Sequence, residues 1–343
     1  MKNLRQLSLA QIEAIFEEWG EKKFRAKQVY DWIWQKHVNA IDEMSNLSKE
    51  LRQKLKEHYY LHKVHVHHAQ YSTDGTIKSR LQLHDGHFVE GVLIPTDTRM
   101  TACVSSQVGC SLSCKFCATG YMDRKRNLEY DEIVDEVTII NEQAQKHFNK
   151  HLSNIVFMGM GEPMLNYSNM IRAIERITAP DGLGMSPSRI TVSTAGVAKM
   201  IKKLAEDNPK VNLALSLHAA NDVKRNEIMP INETNNLQTL TEALTYYYNL
   251  TKNPITFEYI LFNDFNDSLK DADELIRICR KIPSKVNLIE YNPIGMARFE
   301  KPDEDKVDHF MEYLQRHKVN ARLRRSRGKD IDAACGQLAN INH

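Results

Sequence analysis

The stretch Cys110-Ser-Leu-Ser-Cys114-Lys-Phe-Cys117 sets three cysteines in a C-x₃-C-x₂-C pattern, just after an apolar run at 100–105. Three thiolates on so short a loop can wrap one face of an iron–sulfur cubane, because thiolates are the natural ligands of iron in such clusters. With only three cysteines, a fourth iron keeps an open position for a ligand that reacts. A structural zinc site is the alternative. Zinc prefers four closed ligands, commonly from paired C-x₂₋₄-C units. Here the second pair is missing, and Cys103 lies seven residues upstream on the expected strand. A ferredoxin would need a fourth cysteine ligand and a much smaller chain.

Outward from this loop, short apolar runs at 100–105, 155–159, 190–193, 211–217, 255–261, 286–291 and 319–323 alternate with amphipathic segments such as 131–145, 236–248, 269–281 and 304–317. Alternating βα units predict a parallel sheet with helices outside it. Six or seven units suit a full or partial barrel, so the expected fold is α/β, a partial (βα)6-type barrel. Its active site would form at the C-terminal ends of the strands, where the cysteine loop follows the first run.

Upstream, the first sixty or so residues read as helices. Ser8 and Gln11 fit a capping box ahead of Leu9, Ile12, Ile15, Phe16 and Trp19, and Gly20 suits the C-terminal cap. A second helix is expected over 26–36 and a third after Ser48. Alternation over 77–83, the tight-turn pair Asp85-Gly86 and a return run over 88–94 predict a β-hairpin. The expected division is a helical accessory domain at 1–70, a hairpin linker at 71–97 and a catalytic domain at 98–343.

The 343 residues are 42% hydrophobic and 26% charged, close to a globular average, which argues against a disordered chain. No run approaches the roughly 18 apolar residues of a membrane span. Met1-Lys2-Asn3-Leu4-Arg5-Gln6 lacks an apolar export segment, so a cytoplasmic protein is expected. Forty-six basic against 44 acidic residues give a net charge of +2, which argues against a chain built chiefly to bind polyanions but allows a local basic patch. Stable disulfides are not expected in that compartment, although four of the six cysteines fall within fifteen residues.

The cysteine loop behind the first strand of a βα barrel resembles the radical S-adenosylmethionine superfamily, and hence its type of barrel. Further segments resemble the RlmN/Cfr group of RNA adenine methyltransferases: Cys103-Val-Ser-Ser-Gln-Val-Gly-Cys110, Met158-Gly-Met-Gly-Glu-Pro163, Leu215-Ser-Leu-His218, Tyr291-Asn-Pro293 and Arg327-Gly-Lys-Asp-Ile-Asp-Ala-Ala-Cys-Gly-Gln-Leu338. The resemblance spans essentially the whole chain.

It implies a [4Fe-4S] cluster on Cys110, Cys114 and Cys117, with S-adenosylmethionine chelated at the open iron and two molecules used per turnover. One supplies a methyl group to Cys335. The second is cleaved to a 5′-deoxyadenosyl radical that removes hydrogen from that methyl. The resulting carbon radical adds to adenine, and Cys103 frees the product by forming a transient disulfide with Cys335. Gly161, Glu162, Ser193, Ser216, Leu217, His218 and Asn292 match family contacts to S-adenosylmethionine. Glu90 matches the family's proton acceptor, a role the chemistry requires. From the residues alone, each cysteine could be buried and inert, His218 a satisfied strand-end residue, and Glu90 a solvent-facing carboxylate. Cys279 matches no motif and reads as a packing residue.

The implied substrates are adenosines in 23S rRNA and in some tRNAs, methylated at C2, with an electron donor such as flavodoxin and no membrane partner. Methylation at C8, a radical enzyme with a non-RNA substrate, and a non-catalytic RNA binder holding zinc are the competing readings. Two basic tracts, Arg124–Arg126 and Arg322, Arg324, Arg325, Arg327 and Lys329, are expected to contact phosphate. His58, His62, His65, His67 and His68 lack a ligand frame and read as a polar surface strand.

Overall fold

In the computed structural model of the chain, which describes residues 1–340, the Ser8 hydroxyl accepts from the Gln11 amide at 3.2 Å and the Gln11 side chain accepts from the Ser8 amide at 2.8 Å. This capping box starts helix α1 (Leu9–Glu18), and Gly20 leaves it in the left-handed region at φ +74°. Helices α2 (Lys23–Trp34) and α3 (Lys49–His58) complete the module and bury Val29, Ile33, Leu51 and Leu55.

The module is bound tightly to the rest of the chain. Arg5, fully buried, forks onto Asp135 at 2.6 and 2.7 Å, and Asn3 donates to Asp131 at 2.9 Å. Trp34 stacks on Tyr130 with ring centroids 5.7 Å apart. A bidentate guanidinium is the geometry in which a buried charge pair offsets its desolvation.

The main sheet has ten strands: β1 (His65–Tyr71), β2 (Ile77–Gln82), β3 (Phe88–Pro95), β4 (Met100–Cys103), β5 (Asn154–Phe157), β6 (Ile190–Thr194), β7 (Asn212–Ser216), β8 (Ile255–Leu261), β9 (Ser284–Glu290) and β10 (Ala321–Arg324). Each strand lies beside its neighbour in the chain. β1 to β4 are antiparallel, and β4 to β10 are parallel. Six crossovers join the parallel strands through α4 (Tyr130–Phe148), α5 (Tyr167–Thr178), α6 (Ala198–Asp207), the pair α7 (Asp222–Ile228) and α8 (Leu237–Thr251), α9 (Leu269–Cys279) and α10 (Glu304–Arg316). The expected βα alternation is therefore present as six βα units and a closing strand. The sheet ends at β1 and β10 and does not close on itself, which makes the barrel partial.

Strand alternation separates two faces. Ile155 and Phe157, Leu213 and Leu215, and Val286 and Leu288 are buried in the main hydrophobic core. The alternate positions, among them Thr101, Thr191, Thr256, Glu258, Asn287 and Arg322, line the inner face. That face is polar, unlike the branched apolar filling of a closed eight-stranded barrel.

The Asp85-Gly86 turn forms as expected, with Gly86 at φ +82° and the Leu83 amide donating to the His87 carbonyl at 2.8 Å. Its strands are more than a linker, because β2 and β3 are integral to the sheet and bury Leu81, Val89 and Val92. Of the histidine-rich segment, His65, His67 and His68 lie on the exposed edge strand β1, whereas His58 ends α3 and His62 stacks on His84 ahead of the strand; the division drawn at residues 70 and 71 falls inside β1. No helix of the described residues is long and apolar enough to cross a membrane.

Candidate active site

The loop after β4 is set by polar contacts to β3, α4 and β5. The Ser105 hydroxyl donates to the Glu90 carbonyl at 2.7 Å and accepts from the Met160 amide at 2.8 Å, while the Ser105 amide donates to buried Glu136 at 2.8 Å. Gln107–Val108 then pairs with Arg126–Asn127, and the three cysteines project from the excursion between them. Within it the Cys117 amide donates to the Cys114 carbonyl at 3.2 Å, and the Gly120 amide to the Cys117 carbonyl at 2.9 Å. A Cβ on Gly120 would lie 2.6 Å from the Cys114 carbonyl oxygen, so this turn requires glycine.

The C-terminal segment folds over the loop. The Ala118 amide donates to the Gly336 carbonyl at 2.7 Å and the Thr119 hydroxyl to the Leu338 carbonyl at 2.6 Å. Together they enclose a cleft of about 920 Å³, open to solvent, lined by Cys110, Cys114, Cys117 and Cys335. Burial pushes the Cys110 thiol up to about 11 and that of Cys114 well above its usual range. Thiols in so apolar a place favour the neutral form until a cation meets them. Among the described residues no three His, Cys, Asp or Glu side chains form a group that could hold one metal ion. Three thiols lining one cleft fit the separate corners of an iron–sulfur cluster.

The cleft also takes in Gly161, Glu162, Ser193, Ser216 and His218. Gly161 sits at φ +91°, and a Cβ there would meet the Gln107 side chain at 2.5 Å, so this glycine serves packing between two loops. Glu162 accepts from the Ala195 amide at 2.7 Å and the Met164 amide at 3.1 Å, while burial raises its carboxyl to about 7.

His218 is 2% exposed, at φ +54°, with Nδ1 accepting from the Ile260 amide at 3.0 Å. The proton of the neutral ring is therefore on Nε2. Burial, helped by nearby Arg225, lowers its pKa to about 3. Since the folded ring refuses a proton that the unfolded chain binds below about 6.5, His218 erodes stability as pH falls from there toward 3. Denaturant melts of wild type and His218→Gln over pH 7 to 4 should show a shallower fall for the variant. Parallel curves would contradict this.

Four expected site residues do not line the cleft. Leu217 is buried beneath it, and its carbonyl accepts from Arg225 at 3.1 Å. Asn292 is buried and donates to the Ser326 hydroxyl at 2.9 Å and the Cys335 carbonyl at 3.4 Å. Glu90 is 2% exposed, so it is not a solvent-facing strand carboxylate. It borders an adjoining cavity of about 610 Å³, where Lys78 approaches to 3.8 Å and the Ala339 and Asn340 amides donate at 2.9 and 3.1 Å. Cys103 is buried at the end of β4. Burial and the neighbouring Cys335 push its thiol up to about 12, while Arg324 acts in the opposite sense on both sulfurs. Cys279 is half-buried at the end of α9, away from the cleft.

The basic tracts are partly spoken for. Arg126 is closed by Asp85 and Glu132 at 2.5 and 2.6 Å, Arg324 pairs with Glu258 at 3.4 Å, and Lys329 pairs with Glu290 at 2.7 Å. Sequence reasoning missed Arg225, the buried guanidinium beneath the cleft. It donates to the carbonyls of Ala195, Ser216 and Leu217 and to Asn232, at 2.6 to 3.2 Å. Nothing in the sequence distinguishes it from a surface arginine on a short helix.

Residues 2–61 match the family model "Ribosomal RNA large subunit methyltransferase N-terminal domain", and residues 104–277 match that of the radical SAM superfamily. A probable dual-specificity RNA methyltransferase RlmN from Cytophaga hutchinsonii is 55% identical over 338 residues, covering 98% of this chain and 93% of that one. The protein of the same description from Fervidobacterium nodosum is 40% identical, covering 98% and 97%. The crystal structure of a radical SAM methyltransferase from Sphaerobacter thermophilus superposes with a TM-score of 0.92 at 38% identity, over 98% of this chain and 99% of that one. With this fold, this cysteine loop and relatives matched from end to end, the chain belongs to the radical SAM superfamily and, within it, to the RlmN family of methyltransferases.

Proposed function

We propose that the chain methylates C2 of an adenosine in 23S rRNA and of an adenosine in some tRNAs, in the cytoplasm, with 1–70 as an RNA-binding accessory domain and 98–343 as the catalytic domain. What carries the reading is that Cys335 shares one cleft with Cys110, Cys114 and Cys117, on a tail hydrogen-bonded to their loop. When bound, a [4Fe-4S] cluster on those three cysteines and two molecules of S-adenosylmethionine per turnover supply a methyl group and a hydrogen-abstracting radical. Gly161, Glu162, Ser193, Ser216 and His218 hold S-adenosylmethionine, His218 as a neutral hydrogen-bonding group, with Leu217 and Asn292 packed behind them.

The chain's own chemistry follows from its sulfurs. Cys335 carries the one-carbon unit as a thioether and presents it to adenine C2. Glu90, bonded to the tail amides beyond Cys335, takes the ring proton. The Cys103 thiolate then attacks the Cys335 sulfur. The Cys335 sulfur–carbon bond breaks with its electron pair left on the carbon, which takes up a proton to become the methyl group of the departing base, and a Cys103–Cys335 disulfide forms. A two-electron supply, from a donor such as flavodoxin, restores both thiols.

The test is an anaerobic reaction of the reconstituted protein with unmodified rRNA and tRNA, followed by mass spectrometry of the nucleosides. The expected product is 2-methyladenosine. Finding 8-methyladenosine alone would overturn the C2 assignment, and no methylated RNA would overturn the substrate class.

A further inference from the structure

Below the cleft, the lower inner face of the sheet opens into a second cavity of about 1340 Å³. Met158, Glu258 and Arg324 border both spaces, so one thin wall separates this cavity from the site that holds Cys335. Its lining carries six cations, Arg99, Lys285, Arg322, Arg324, Arg325 and Arg327, against one carboxylate, Glu258. That carboxylate is already engaged, accepting from Asn287 at 2.7 Å and Arg324 at 3.4 Å. Arg322 donates through Nε to Asn287 at 2.7 Å, and Arg327 donates to the Asp74 carbonyl at 3.3 Å. Both arginines keep further N–H donors for a ligand. Thr101, Thr191 and Thr256 line the same space.

So many like charges in one concavity repel each other and focus a positive potential into it. An anion relieves that repulsion. Guanidinium forks match tetrahedral oxyanions in pairs, whereas a lone carboxylate ligand would satisfy one fork and leave the others. We propose that this cavity is a phosphate-binding site, distinct from the cleft above it. The phosphate comes either from the backbone of a bound RNA or from a free small phosphate. The proposal stands on the cavity itself, and the RNA reading bears only on the first of these sources.

The experiment uses the full chain and two variants, Arg322→Gln/Arg325→Gln and Lys285→Gln. None of these residues lines the cleft or belongs to the hydrophobic core. Pyrophosphate is titrated calorimetrically, and the affinity for an RNA hairpin is measured across a salt series. If the source is RNA, the double variant lowers the slope of log affinity against log salt by about 1.4, two contacts at roughly 0.7 each for a single strand. If the source is a free phosphate, pyrophosphate binds the wild type and weakens tenfold or more in both variants while the RNA slope holds. Unchanged RNA slope together with unchanged or absent pyrophosphate binding overturns the proposal. Methylation of RNA is assayed separately, so failure of the catalytic reading would leave the pyrophosphate arm decisive.

Discussion

Cys335→Ala is expected to abolish RNA methylation, with a fall of about 10⁴-fold or more, the scale on which removing a covalent nucleophile acts. The variant should still fold, because the side chain is small, lies in the cleft lining and makes no hydrogen bond that positions the tail. The tail is held by the backbone of Gly336 and Leu338. RNA affinity should therefore stay within a few-fold of wild type. Cys103→Ala makes the complementary case. It should retain methylation of the Cys335 sulfur and the attack on RNA but not the release, so a covalent protein–RNA adduct through Cys335 should accumulate and be visible on a denaturing gel. Full turnover by Cys335→Ala would remove the thioether from the mechanism. Full turnover by Cys103→Ala, with no adduct, would remove the disulfide.

The second large effect is expected at Arg225. Its guanidinium ties together the carbonyls just beyond β6 and at the end of β7, at Ala195, Ser216 and Leu217, and lies close enough to Cys114 for the two to influence each other's charge. Burial lowers its pKa to about 10 but leaves it charged near neutrality. Arg225→Met fills much of the same volume while orphaning three buried carbonyls. At about 1 kcal/mol or more for each, the loss should reach about 3–5 kcal/mol. Urea unfolding of the metal-free protein reads this directly. A change below about 1 kcal/mol would show that the carbonyls find other donors and that the arginine does not organise the floor of the cleft.

Local chemistry made much of this fold legible beforehand. The Ser8–Gln11 box, the Asp85-Gly86 turn and the run at 255–261 are governed by near neighbours, and each forms where its residues predict. The cysteine loop was legible for the same reason. What could not be read depends on pairs far apart in the chain. Arg5 meets Asp135 across 130 positions, so nothing local marks either as buried. Gly161 matches a cofactor contact in sequence, and the structure adds that packing against Gln107 leaves no room for a Cβ. Glu90 alternates along a hairpin like any surface carboxylate, yet it is buried and meets amides of the returning C-terminal tail. The two basic tracts looked alike, but acidic residues from a distant turn and helix neutralise Arg126, whereas Arg322 faces a cavity with a single carboxylate.

The order of strands across the sheet is the order in which a ribosome makes them. Each new strand can add to an edge that already exists, without waiting for a later partner, so the sheet can grow as the chain emerges. Residues 335–338, which close over the cysteine loop, follow the last strand of the sheet in the chain. The tail that covers the cysteine loop is thus added only after the sheet that carries it.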